Sequence, residues 1–391
     1  STGAFGANAV TVNGGILNLG QQTLANNITI AGGELTGGSI DAGRVTLASG
    51  TISATLTGAG TLTKSGTGTF TLGSANTFTG GTNLSGGTLV AGDVDAFGTG
   101  AVNVTAGTLD LGNLAVANNV TLQGGALANA AGYSGVLTVA GNVTMAATGA
   151  GAGTLVIAPN AKLTLATTLA NSVTVNGGIL EGGTIALSQV TAQTGTLNSV
   201  LTGATALTKN STGTLTLGGA NTFTGGVNVQ AGTLAVTHVG AFGAGAVTVS
   251  GGVLDLGNLA VTKALNLTGG ALANAGAYAG TATIAAGQAF TLDAALGGTV
   301  AVAGTLNTAT GAAFTGATVN VAAGATLDAT ASAGLVVAGN SRLNLTGTAV
   351  TGAANTLAIA ATGTLASAAG VVTGNVALNG VFVADLGAPG T

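Results

Sequence analysis

Apolar residues along this chain fall two apart and then stop at glycine. VTVNGGIL from Val10 shows the unit: β-formers at Val10 and Val12, glycine at Gly14 and Gly15, and an apolar residue again at Ile16 and Leu17. The unit recurs from Ile28, Val45, Val102, Val120, Val173, Val190 (with Ala192 in the second slot), Val247 and Leu265, with neighbouring starts 17 or 18 residues apart. Residues two apart share a strand face, so the spacing predicts a short strand with Val10 and Val12 inward and Thr11 outward. The Asn13-Gly14-Gly15 corner turns the chain, and a second strand brings Leu17 and Leu19 to the same interior while Asn18 meets water. No window carries apolar residues at helical spacing over three turns, and Thr, Val and Ile dominate the runs between corners, so the pattern predicts an all-β chain.

A unit of 17 or 18 residues cannot bury its own Val/Leu face; it buries it by stacking on the next unit. The prediction is a parallel β-helix, a solenoid of roughly 20 coils, with Ala, Val and Leu filling a narrow interior. Asn stacked on Asn is expected to form ladders along its side, and Gly to occupy the crowded corners.

A second, longer period supports the solenoid. Residues 62–135 align without a gap with residues 207–280 at an offset of 145, identical at 47 of 74 positions, and LDLGNLAV stands unchanged at 109 and 254. A partial copy runs from Ala4 at an offset of 92, so Ser1 falls inside a repeat and the chain reads as a segment of something longer. The expected organisation is a repeat-rich β-helix over 1–280 (a partial repeat at 4–61, then repeats from 62 and 207) and a more irregular continuation of it over 281–391.

Composition narrows the function classes. Of 391 residues, 72 are Gly and only 16 are charged, with no Cys, no Trp and 3% aromatic. A net charge of −4 leaves no basic surface for a phosphate backbone, so nucleic acid is not an expected partner. Mean hydropathy is high because charge is missing, yet the longest apolar run is Leu357–Ala361, far short of a spanning helix, and no membrane insertion is expected. The lack of Cys excludes disulfides and thiolate chemistry.

LTKSGTGTFTLGSANTFTGGTNLSGGTL from Leu62 and LTKNSTGTLTLGGANTFTGGVNVQAGTL from Leu207 resemble the strand repeat of autotransporter passengers. Thr63, Lys64, Gly68, Asn76, Phe78, Gly80, Gly81, Gly87 and Leu89 match it, and the second copy departs at Ser211, where the family has Gly. The resemblance implies a secreted bacterial passenger folded as a right-handed β-helix, extracellular or on the cell surface. The family's C-terminal translocator barrel has no counterpart in this segment; Val381-Phe382-Val383 is too short a stretch for it.

Candidate chemistry is sparse. The single histidine, His238, falls where the first copy has Asp93, which reads as a variable corner residue rather than a catalytic base. Asp93 and Asp95 are the closest acids, but their equivalents are His238 and Gly240. Ser134 lacks a nucleophile-elbow context and its counterpart is Ala279. Asp110 and Asp255 are duplicated, which fits a structural role: Asp110 is expected to bond a backbone amide or the Asn113 side chain. Lys64 and Lys209 are expected to keep the strand surface soluble. Phe78 and Phe223, and with them Tyr133 and Tyr278, are expected as buried corner anchors. No catalytic, cofactor-binding or metal site is assigned, no cofactor is expected, and the chain reads as no enzyme.

The function expected is a surface-displayed structural rod or stalk, autotransporter-passenger-like, that supports adhesion to a host or sister-cell surface. The alternative is homotypic self-association into an extracellular filament, sheath or biofilm matrix. A β-helix enzyme is the least favoured reading.

Overall fold

The structure is a computed structural model that describes residues 5–145, 153–169, 173–186, 190–309, 312–330, 335–338, 341–345, 348–351, 356–359, 364–367, 371–373, 375–378 and 381–384. The last two residues of the Leu357–Ala361 run lie outside these. The chain is an all-β parallel solenoid. The one helical element among the described residues is a single 3-10 turn at Ala42–Arg44, capped by the Asp41 side chain accepting from the Gly43 amide. No helix of the described residues is long and apolar enough to cross a membrane.

Each coil is built as the alternation predicts. In the strand Leu62–Lys64 the first and third residues are buried and Thr63 is exposed; after a glycine corner, Thr69–Leu72 buries Phe70 and Leu72. The next coil lays Thr82 on Leu62, Asn83 on Thr63 and Leu84 on Lys64, parallel and in register. The coil after that lays Val102, Asn103 and Val104 on these three, and the following one Val120, Thr121 and Leu122. Inward positions therefore stack on inward and outward on outward, and the interior is lined mainly by Leu, Val and Phe side chains with almost no exposure. At about 25 cal/mol per Å² of buried apolar area, this interior is the main force opposing the chain's entropy.

The starts of successive first strands correct the expected coil length. They are 17 or 18 residues apart over much of the chain, but 20 apart from Leu62 to Thr82 to Val102 and again from Leu207 to Val227 to Val247. Two steps are wider still, from Val319 to Leu343 and from Leu343 to Leu365, before the spacing shortens again from Leu365 to Phe382. In the coils that start at Leu62 and Leu207, one added residue lies at the corner between the first two strands and the other after the second strand. In those that start at Thr82 and Val227, both follow the second strand, where the coil turns its third side. In the later coils the second side runs through Ala289–Leu292 and the third through Ala295–Leu296, each a parallel sheet of five strands.

By contact density the chain divides into two compact units: residues 1–189 with 198–200, and residues 190–197 with 201–391. The first contains the copy at 62–135 and the second the copy at 207–280. The two bury the same inward positions in these strands and keep the same ladder register at the 145-residue offset. At the first described rung, Leu17 and Leu19 are half-buried rather than interior, since they have a neighbouring coil on one side, and Ile16 beside them is 70% exposed.

Candidate functional site

The repeat that distinguishes this chain begins with a charge placed inside it. Lys64 and Lys209 do not decorate the strand surface; both side chains are fully buried. They sit two residues after Leu62 and Leu207, on the same strand face, and so must point inward with them. The Lys64 ammonium donates to the Gly66 carbonyl of its own corner and to the Gly86 carbonyl of the next coil at 3.3 Å. Lys209 repeats this with the Ser211 carbonyl, the Ser211 hydroxyl at 3.2 Å and the Ala231 carbonyl at 3.2 Å. Burial lowers the pKa of both amines. Glycine makes room for them: a Cβ at Gly87 would lie 2.7 Å from the Lys64 Nζ, and one at Gly232 would lie 2.6 Å from that of Lys209. Each lysine thus ties its own coil to the following one.

A second internal tie was not anticipated from the sequence. Asn76 is buried; its carbonyl accepts from the Leu56 amide at 2.7 Å and its amide donates to the Ala96 carbonyl at 2.6 Å, joining the coil before to the coil after. Asn221 does the same with Leu201 and Ala241. The signal available was its fixed place in the repeat, two residues before an aromatic. Those aromatics, Phe78 and Phe223, are buried as expected, and Gly81 and Gly226 beyond them adopt φ of +78° and +84°, where a Cβ would meet a carbonyl oxygen at 2.7 Å.

The remaining candidates resolve into corner structure. Asp93 Oδ1 accepts from the Asp95 amide at 2.9 Å; in the second copy His238 Nδ1 accepts from the Gly240 amide at 3.0 Å. Two different side chains thus cap one turn. Asp110 accepts from the Gly112 amide at 2.9 Å, and its side-chain partner is Asn129 of the next coil, at 2.9 Å to each oxygen, instead of Asn113. Asp255 repeats the arrangement with Gly257 and Asn274. Asn113, Asn129, Asn258 and Asn274 all take positive φ, serving at these corners where glycine serves elsewhere. Tyr133 and Tyr278 are buried, donate to the carbonyls of Asn118 at 3.0 Å and Lys263 at 2.8 Å, and have their pKa raised by burial. Ser134 donates to the Val116 carbonyl at 3.3 Å. Among the described residues no three His, Asp or Glu side chains gather as metal ligands.

Outside, the strand faces are short polar rows. The Asn103 amide donates to Asn83 at 3.3 Å, and that of Asn344 to Asn320 at 2.6 Å, giving the expected asparagine ladder at two places. The surface charge is thin; the ion pair Lys162–Glu181, at 2.6 Å, crosses neighbouring coils and holds the Glu181 carboxyl below its ordinary pKa, chiefly through the hydrogen bond from Lys162.

A stacked solenoid with a buried Lys-Asn-Phe repeat defines a class, and comparison with known proteins gives it a family context. The Passenger-associated-transport-repeat family matches residues 62–91 and 207–236, the two segments whose geometry is described above. The chain is also similar to the adhesin BmaC autotransporter of Brucella suis biovar 1 (strain 1330), 42% identical over 116 residues, which is 27% of this chain and 3% of that protein. The chain therefore spans a small fraction of that relative's length. No solved structure matches it. The repeats, the adhesin similarity and the solenoid together fit an autotransporter passenger with a β-helix.

Proposed function

We propose that this chain is part of a surface-displayed, adhesin-like passenger, secreted by a bacterium and acting through its outer faces rather than through catalysis. The observation that carries the reading is the pair of passenger-associated repeats at 62–91 and 207–236, each seated in the solenoid as a Lys-Asn-Phe coil tie, together with the similarity to an autotransporter adhesin. The polar groups with a potential for chemistry, His238, Asp93, Asp110 and their counterparts, are engaged in turns and coil-to-coil bonds. What faces outward is Thr and Asn in register from coil to coil, able to make many weak contacts with a host or sister-cell surface.

The test is display of residues 1–391 on a non-adherent bacterium, fused to a translocator barrel, with bacteria counted on cultured host cells. Retention above that of the barrel alone, competed by the purified segment, is the expected result. Retention equal to that of the barrel alone contradicts the adhesive reading. Replacement by an unrelated β-helix of equal length separates spacer from binding face: a spacer is restored by it, a binding face is not.

A further inference from the structure

The two copies of the 74-residue repeat differ at 27 positions, yet every difference in charge between them falls at one corner: Asp93 becomes His238, Asp95 becomes Gly240, and Asn118 becomes Lys263. The other charged residues of the repeat, Lys64 and Asp110, stand unchanged as Lys209 and Asp255. The same corner carries an exposed valine in both copies, Val94 at 42% and Val239 at 53%.

The substitutions give the two corners opposite forms. In the first copy, the exposed Val94 stands between two aspartates in the chain; Asp93 caps the turn, and Asp95 is exposed, its carboxylate accepting no hydrogen bond among the described residues. In the second copy the turn carries Gly240 in place of the aspartate, and a recess of about 370 Å³ is lined by Val239, Gly240, Phe242, Thr262 and Lys263. Lys263 borders it with its ammonium, which donates to the carbonyls of Gly243 at 3.2 Å and Ala244 at 2.5 Å and keeps a third N–H. Asn118 in the first copy donates to the carbonyls of Gly98, the counterpart of Gly243, and of Gly100, at 2.9 and 2.8 Å, without any charge. Lys263 therefore does the structural work of Asn118 and adds a cation to the rim.

We propose that the Asp93-Val94-Asp95 corner of one copy of this chain docks into the Val239–Lys263 recess of a second copy, valine in the recess and carboxylate on the ammonium. Such a contact joins unlike patches, so a pair keeps an unused recess on one partner and an unused corner on the other, and it propagates. It is independent of which foreign surface the passenger binds. Its strength rests on a small apolar plug plus a rim ion pair, so it is weak singly, salt-sensitive, and effective where many copies are held on one surface.

The test exploits the repeat itself, because Asp95→Gly, Gly240→Asp and Lys263→Asn each place at one corner the residue that the other copy carries there. Asp93→Asn with Asp95→Gly removes the projecting charges; Gly240→Asp with Lys263→Asn closes and neutralises the recess. Sedimentation of the full 391-residue chain at rising concentration and low salt is expected to show concentration-dependent association, with each double variant weakening it by about tenfold or more. An equimolar mixture of the two variants is expected to form 1:1 pairs that grow no further, since one intact corner of each kind remains. Thermal midpoints equal to that of the parent confirm that the fold is kept. A parent chain that stays monomeric, variants that associate as the parent does, or a mixture that behaves as its separate components would each overturn the proposal.

Discussion

The coil pair at 62–91 and its counterpart at 207–236 hold the same internal parts, while the corners that follow them, at Asp93 and His238, do not. Inside, Lys64 and Lys209, Asn76 and Asn221, Phe78 and Phe223 keep identity, burial and partners. At the corners a carboxylate and an imidazole nitrogen accept the same turn amide, and the charge changes sign around them. The interior tie needs donors of one reach against carbonyls of two coils, which only one side chain satisfies. The turn needs only an acceptor two residues back, which several side chains supply. Difference between the copies is therefore informative about surface, and identity about coil joining.

If the two interiors are equivalent, the heaviest loss falls on their aromatic rings. Phe78→Ala or Phe223→Ala removes a ring buried at the same corner in each copy and is expected to cost about 3–5 kcal/mol, equally in both, by urea denaturation. A cost below about 1 kcal/mol in either copy would show that the two corners are not packed alike.

The lysines come next. Lys64→Ala leaves the Gly66 and Gly86 carbonyls without their cation and is expected to cost about 2–3 kcal/mol. Lys64→Met keeps most of the stem and adds a pH signature. The folded amine titrates below its ordinary value of 10.5, so between the two values the unfolded chain holds a proton that the folded chain has shed. Stability from this group is thus lowest below the folded pKa, rises with pH through that window, and levels off above 10.5. Tyr133 and Tyr278 act oppositely above about pH 10, since their phenols are held protonated by the fold. The difference in stability between the parent and a Lys64→Met, Lys209→Met double variant cancels the tyrosines and is expected to rise with pH below 10.5; a pH-independent difference would mean that the amines are not desolvated.

The smallest expected effect is a gain, at a place where the two interiors differ. The Thr82 hydroxyl is buried with no hydrogen-bond partner, and the second copy has Val227 at this position. Thr82→Val should raise stability by about 1 kcal/mol, read as a shift of the denaturation midpoint, and Val227→Thr should lower it by a similar amount.

Much of this architecture is legible in the sequence. Alternation about Gly corners gives the coils, their parallel stacking and the buried Phe78. The same alternation places Lys64 inward beside Leu62; a surface lysine is expected only when its charge is weighed above its position. Asp110 pairing with Asn129 rather than Asn113 is out of reach, because it depends on which corner of the next coil lies above it. The 20-residue coils at the repeats are hidden for a related reason: the residues of the corner and the third side carry no alternation to count.

In this architecture coils need only their neighbours, and the two copies are interchangeable in register. Thr46 and Leu47 pair with Thr63 and Lys64, as Thr191 and Ala192 pair with Thr208 and Lys209. Joining residue 61 directly to residue 207 removes one 145-residue period and sets Thr46 and Leu47 against Thr208 and Lys209. Far-ultraviolet circular dichroism during urea denaturation of that shortened chain is the direct test. The expected result is a β-rich spectrum with cooperative unfolding and unchanged stability per residue. A chain that loses its β signal or its cooperative transition would contradict it.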